Sequence, residues 1–137
     1  MHSQKPQLVE FVNVARSLIG VPWRHRGCSA REVDCIGLVV YSAKQVGLLP
    51  ADFPLPAYST APQPELMLTE LRKIAVPIKE PVVGNVVYFM RAKNLVHLAI
   101  LSKPRAIIHA DRKHGAVSEV PFTRPWSHFP HTFWEFR

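Results

Sequence analysis

Leu95-Val96-His97-Leu98-Ala99-Ile100-Leu101-Ser102 is followed after only Lys103-Pro104-Arg105 by Ala106-Ile107-Ile108-His109-Ala110. Two short apolar, β-branched runs this close leave no room for a crossover helix, so they read as neighbouring antiparallel strands. The same texture recurs at Val86 to Met90, Ala116 to Val120 and Thr132 to Phe136, each bounded by turn residues. All five runs follow Pro81, and together they predict a largely antiparallel meander.

Upstream the period changes. Leu8, Phe11, Val12, Ala15, Leu18 and Ile19 recur at helical spacing and predict an amphipathic helix over about residues 7–19, stopped by Gly20 and Pro22. Trp23 to Val33 is polar and basic without either period, and reads as a loop. Asp34 is a good N-cap for a second helix from Cys35 to Val46, apolar nearly all round and so expected to be buried, with Gly47 closing it. Pro50, Pro54, Pro56, Pro62 and Pro64 forbid a long helix or a central strand from Leu48 to Pro64, which reads as a long covering loop. Leu66, Leu71 and Ile74 predict a short third helix with Pro64 near its first turn. The architecture expected is α+β, with N-terminal helices packed on a mainly antiparallel C-terminal sheet of about five or six strands.

At 137 residues the chain is expected to be a single domain over 1–137. A composition of 47% hydrophobic and 20% charged residues excludes a disordered segment, because enough apolar surface can be buried to offset the ordering entropy. Met1 to Gln7 contains no apolar leader and no stretch reaches ~18 apolar residues, so a soluble product made in the cytoplasm without a signal peptide of its own is expected. Two cysteines are too few for a disulfide scaffold or a cysteine-rich zinc site. The formal charge of +7 favours an anionic partner without choosing one.

The chemistry centres on Cys35, placed in the first turn of a buried helix. There the unpaired N–H groups and the helix dipole favour a thiolate, although a cysteine can also serve as a small hydrophobe. His97 is a single imidazole in an apolar strand. By alternation it shares a face with Leu95, Ala99 and Leu101, and both faces are too apolar to show which one meets the helices. His109 repeats the pattern one strand later, close enough for the two rings to hydrogen-bond. A thiol nucleophile, an imidazole base and a third polar group orienting that base form a known catalytic arrangement. Here the roles fall to Cys35, His97 and His109, with the Cys35 backbone N–H as first oxyanion donor. In such pairs the resting state is often thiolate with imidazolium, the cysteine pKa lying near ~3–4 in the papain-like case.

Five landmarks carry a resemblance: Gly20-Val21-Pro22-Trp23, Asp34-Cys35-Ile36-Gly37-Leu38-Val39, Val83-Gly84-Asn85-Val86-Val87-Tyr88-Phe89, His97-Leu98-Ala99-Ile100 and Ile108-His109-Ala110. In order and spacing they resemble the NlpC-type cell-wall cysteine peptidases over nearly the whole chain. The resemblance implies a minimal papain-like fold and a Cys-His-His triad, with Cys35 as nucleophile, His97 as base and His109 as orienting residue. It further implies cleavage of peptidoglycan stem peptides, as between D-glutamate and diaminopimelate, with no cofactor and no metal. Trp23 and Asp34 fall at substrate-binding positions. Trp23 stands where the family usually has a tyrosine, Ile36 where a serine is common and Asn85 where an aspartate is usual; Asn85 reads as a structural turn residue. Asp34 remains able to pair with a substrate ammonium.

The basic loop after Trp23 and the aromatic Phe133-Trp134-Glu135-Phe136-Arg137 resemble the bacteriophage and prophage branch, which implies phage-tail or secretion-particle partners and action at the bacterial cell wall after delivery. Other readings are an amidase or acyltransferase using the same thiol, a zinc site on Cys35, His97 and His109, and a silent wall- or nucleic-acid-binding module using Arg24, Arg26, Arg31, Arg112 and Lys113. The bland account of those cations is a solvated rim, and of Trp126, Phe129, Phe133 and Trp134 a lid or core edge. Cys28 reads as a loop-packing thiol rather than the disulfide partner of Cys35.

Overall fold

The computed structural model describes residues 5–92 and 95–137. Met1–Gln4, which belong to the segment read for a leader, and Lys93–Asn94, which precede the His97 strand, lie outside the described residues.

The first helix, α1 (Lys5–Ser17), begins and ends about two residues before the spacing suggests. Leu18 to Gly20 form a turn, and Gly20 takes φ +93, a left-handed conformation that side chains resist. Helix α2 (Cys35–Gln45) starts at the expected N-cap. Helix α3 (Pro64–Ile74) carries its proline in the first turn, where no N–H is missed. The expected strands are β2 (Val86–Ala92), β3 (Leu95–Lys103), β4 (Ala106–Asp111), β5 (Ala116–Pro121) and β6 (His131–Phe136). A further strand, β1 (Ala75–Ile78), follows α3 directly. It carries Pro77 and has no turn residue ahead of it. Its place is the sheet edge, where a missing N–H is tolerated.

The sheet order is β1-β6-β2-β3-β4-β5 and each neighbouring pair is antiparallel. The expected meander therefore holds from β2 to β5. The last strand departs from it by inserting between β1 and β2, with Trp134 opposite Pro77 on one side and Val86 on the other.

Two apolar layers flank the sheet. On one face Phe11, Val12 and Ala15 of α1 and Leu38 and Val39 of α2 pack against Val86, Leu98, Ile100 and Ile108. The Phe11 and Phe136 rings meet edge to face at 5.2 Å. Burying each such aliphatic side chain contributes ~1.5–3 kcal/mol before ordering costs. On the other face Val87, Phe89, Ala99, Leu101 and Ile107 are covered by Trp126, on a single 3-10 turn, with Phe122, Phe129 and Phe133 around it. His97 belongs to this second face, since it alternates with Leu98 and Ile100 and contacts Phe89 and Trp126. At the head of β2 the Val82 N–H donates to Asn85 Oδ1 at 2.6 Å and the Asn85 N–H to the Val82 carbonyl at 3.0 Å, so this buried asparagine closes the turn.

Candidate active site

The start of α2 is built by Asp34. Its backbone is extended, and Oδ1 accepts the Gly37 N–H at 2.7 Å, one of the donors that a helix start leaves unpaired. Oδ2 accepts two more hydrogen bonds, from the Arg26 N–H and the Tyr58 hydroxyl, both at 2.7 Å. The Arg26 guanidinium in turn donates to the carbonyls of Leu55 and Pro56. One carboxylate thus clamps three segments together: the basic loop, the helix start and the proline-rich loop. Gly37 permits the docking, because a Cβ there would collide with the Gly27 carbonyl.

Cys35 is the first residue of α2 and is partly exposed. It lines a cleft of about 430 Å³ together with Trp23, Asp34, Tyr58, Arg91 and His97. Burial of its sulfur, and then the charge of Asp34, push the thiol up to about 12; the backbone N–H groups of Leu98, Ile36 and Cys35 itself act in the opposite direction. The last two belong to the free N–H set at the helix start.

His97 Nε2 lies 2.9 Å from His109 Nδ1, and both rings are buried. The Trp126 indole packs on both, its ring centre 4.8 Å from each. Arg91 sits 4.8 Å over that indole and pairs with Asp111 at 3.0 Å. Burial first, then His109 and Arg91, hold His97 well below its ordinary 6.5. Burial lowers His109 to about 4; Asp111 opposes this, while Arg91 and His114 add to it. Taken singly, then, the thiol and the imidazoles are neutral. This differs from the expected resting thiolate with its pKa near ~3–4. The dehydrated setting disfavours a lone charge on either group.

The sequence reading of the hydrogen-bonded histidines is matched by the geometry, and Cys35 and His97 face one cleft. Trp23 also lines it, with the Arg112 guanidinium 5.3 Å over its ring. Asp34 lines it too, but three donors already occupy its oxygens, so most of its capacity is structural; a carboxylate offers about four acceptor sites. Tyr58 was missed, because a tyrosine in an aperiodic proline-rich loop carries no spacing signal. Trp126, read as lid or core edge, is the back wall of the histidine pair. His25 Nδ1 is buried without a hydrogen-bond partner among the described residues, beside the same cleft. Both cysteines are free thiols, and the Cys28 sulfur sits 3.7 Å from the Gly37 carbonyl. Among the described residues no group of three or more His, Cys, Asp or Glu side chains is arranged to hold a metal, and no helix is long and apolar enough to cross a membrane.

Residues 20–135 match the NlpC/P60 family. No curated protein matches the chain by sequence. Among solved structures, NlpC1 from Trichomonas vaginalis superposes with a TM-score of 0.67 at 16% identity, over 93% of this chain and 44% of its own. The NlpC/p60 domain of the peptidoglycan hydrolase SagA superposes at 0.63 with 16% identity, over 92% and 97%. The peptidoglycan hydrolase RipB from Mycobacterium tuberculosis superposes at 0.62 with 20% identity, over 98% and 67%. This chain spans less than half the length of NlpC1. At these identities the likeness is one of fold, and it agrees with the papain-like architecture of helices on an antiparallel sheet.

Proposed function

This chain belongs to the NlpC/P60 family, and from that premise we propose that it is a cysteine peptidase that hydrolyses a stem-peptide amide of peptidoglycan, the D-glutamyl-diaminopimelate bond being the expected target. The observation that carries the reading is the shared cleft of Cys35 and His97, with His109 hydrogen-bonded behind the latter at 2.9 Å. That SagA and RipB are peptidoglycan hydrolases supports the substrate class.

The tautomers follow from the roles. If His97 Nδ1 is to accept a proton, Nε2 must carry one and donate it to His109 Nδ1, which places the His109 proton on Nε2. His97 Nδ1 takes the Cys35 thiol proton as sulfur attacks the amide carbon. Negative charge moves to the carbonyl oxygen, toward the free N–H groups at the helix start. His97 then returns the proton to the leaving nitrogen as the C–N bond breaks, leaving a thioester on Cys35. In the second half His97 takes a proton from water, hydroxide adds to the thioester, and the thiol departs with that proton. Because a lone charge is unfavourable on either group, sulfur attack and proton transfer are closely coupled.

The test is mass spectrometry of fragments released from diaminopimelate-type peptidoglycan by the purified protein and by Cys35→Ala. Cys35-dependent fragments ending in D-glutamate support the proposal. Labelling of Cys35 by an electrophile without any release retains the nucleophile and points to another acyl donor; no labelling and no release overturn the enzyme. Delivery by a phage tail or prophage-derived particle is part of the same proposal. It is supported by the resemblance of the basic loop and of Phe133 to Arg137, and is tested by detecting the chain in purified particles.

A further inference from the structure

The charged groups of the cleft are unevenly satisfied. Its two carboxylates are occupied from within: Asp34 accepts three hydrogen bonds and Asp111 is paired with Arg91 at 3.0 Å. Arg112 and Lys113, on the turn between β4 and β5, line the same cleft, and among the described residues neither has a carboxylate within ion-pair distance. The turn is anchored rather than loose. The Gly115 N–H donates to the Asp111 carbonyl at 2.9 Å and the Trp23 N–H donates to the Gly115 carbonyl at 2.8 Å. Stacking over the Trp23 ring at 5.3 Å holds the Arg112 guanidinium with its forked edge free, which lowers the entropy cost of engaging a planar anion.

We propose that Arg112, steadied on Trp23, and Lys113 form a binding site for a carboxylate of the peptide seated in the cleft, making the protein selective for free-acid over amidated stem peptides. The proposal rests on the peptide-cleft reading above and adds the chemical feature that is recognised. A carboxylate meets Arg112 through two parallel hydrogen bonds, with the Lys113 ammonium as a second charge. A carboxamide loses the charge and brings an N–H₂ group against a guanidinium that can only donate.

Equilibrium binding to the Cys35→Ala protein tests this without requiring turnover. The probes are a synthetic stem tetrapeptide with free diaminopimelate and D-glutamate carboxylates and its fully amidated counterpart. The free acid is expected to bind about 5-fold more tightly at low salt, with the preference lost at high salt. Arg112→Ala with Lys113→Ala should abolish the preference, and Lys113→Glu, which places a competing carboxylate beside Arg112, should abolish it as well. Equal binding of the two peptides, or a preference that survives both sets of substitutions, overturns the site. Hydrolysis is scored separately with Cys35 intact. Charge-selective binding without cleavage keeps the carboxylate site and removes the peptidase. Cleavage of both peptides at rates indifferent to Arg112 and Lys113 does the reverse.

Discussion

The two faces of the sheet are built from different materials. On the helix side Leu, Val, Ile and Ala dominate, and the polar anchors lie at the periphery: Asp34 at the start of α2, and Arg16, which reaches Glu119 at 3.0 Å. On the far side Phe89 and Trp126 pack on two imidazoles, Trp126 on both, and Phe122, Phe129 and Phe133 pack in turn around those two rings. An aliphatic layer is satisfied by volume and period. The aromatic layer has a second task, which is to keep water away from a pair of titratable rings without breaking their hydrogen bond. On the helix side stability and chemistry meet only at the start of α2, where Asp34 and Cys35 lie, whereas on the ring side they are coupled throughout.

The largest expected effect tests that coupling directly. Trp126→Ala removes the wall shared by His97 and His109 and should cost about 4 kcal/mol, the usual range for a buried tryptophan. It should also move the acid limb of the rate profile upward, as hydrated imidazoles return toward 6.5. Denaturant unfolding and a pH–rate profile read the two consequences. An unchanged profile would confine Trp126 to packing.

Next is pH itself. His109 lies at about 4 when folded against 6.5 ordinarily, and His97 is lowered too. Between those values the unfolded chain binds a proton that the folded one refuses. The stabilising contribution is thus whole above pH 6.5 and is lost as pH falls toward 4, by roughly 3 kcal/mol for His109 alone. Thermal unfolding at pH 7 and pH 4.5 should show the fall, and His109→Gln should reduce it.

On the helix side, Asp34→Asn keeps an N-cap acceptor but weakens two charge-assisted bonds, and should cost about 2 kcal/mol. Denaturant unfolding of the variant reads the loss. Smallest is Arg16→Ala. Its half-exposed pair with Glu119 should be worth no more than about 1 kcal/mol and should weaken with salt, as read by unfolding at two ionic strengths.

The contrast between the faces also explains what could be read from residues alone. Helices α1 and α2 and five strands were legible because burial on one side imposes a period of 3.6 or 2 on the sequence. The Asp34 cap and the thiol behind it were legible because a helix start demands a particular side chain at one position. The adjacency of His97 and His109 followed from two strands too close in sequence to be anything but neighbours. Strand β1 escaped notice because four residues with a proline carry no period, and the insertion of β6 escaped because strand order is a property of pairing partners rather than of any one strand.

What the sequence by itself determined, then, is the α+β architecture, the cysteine at the start of α2 and the two adjacent imidazoles, each tied to a local rule of spacing, capping or alternation. Tertiary structure alone decided that the histidines lie on the face away from the helices, that Trp126 backs them, that Tyr58 and Arg26 converge on Asp34, and that the thiol and imidazoles are neutral when taken singly. These depend on desolvation and on contacts between residues far apart along the chain, which arise only when the folded layers exclude water.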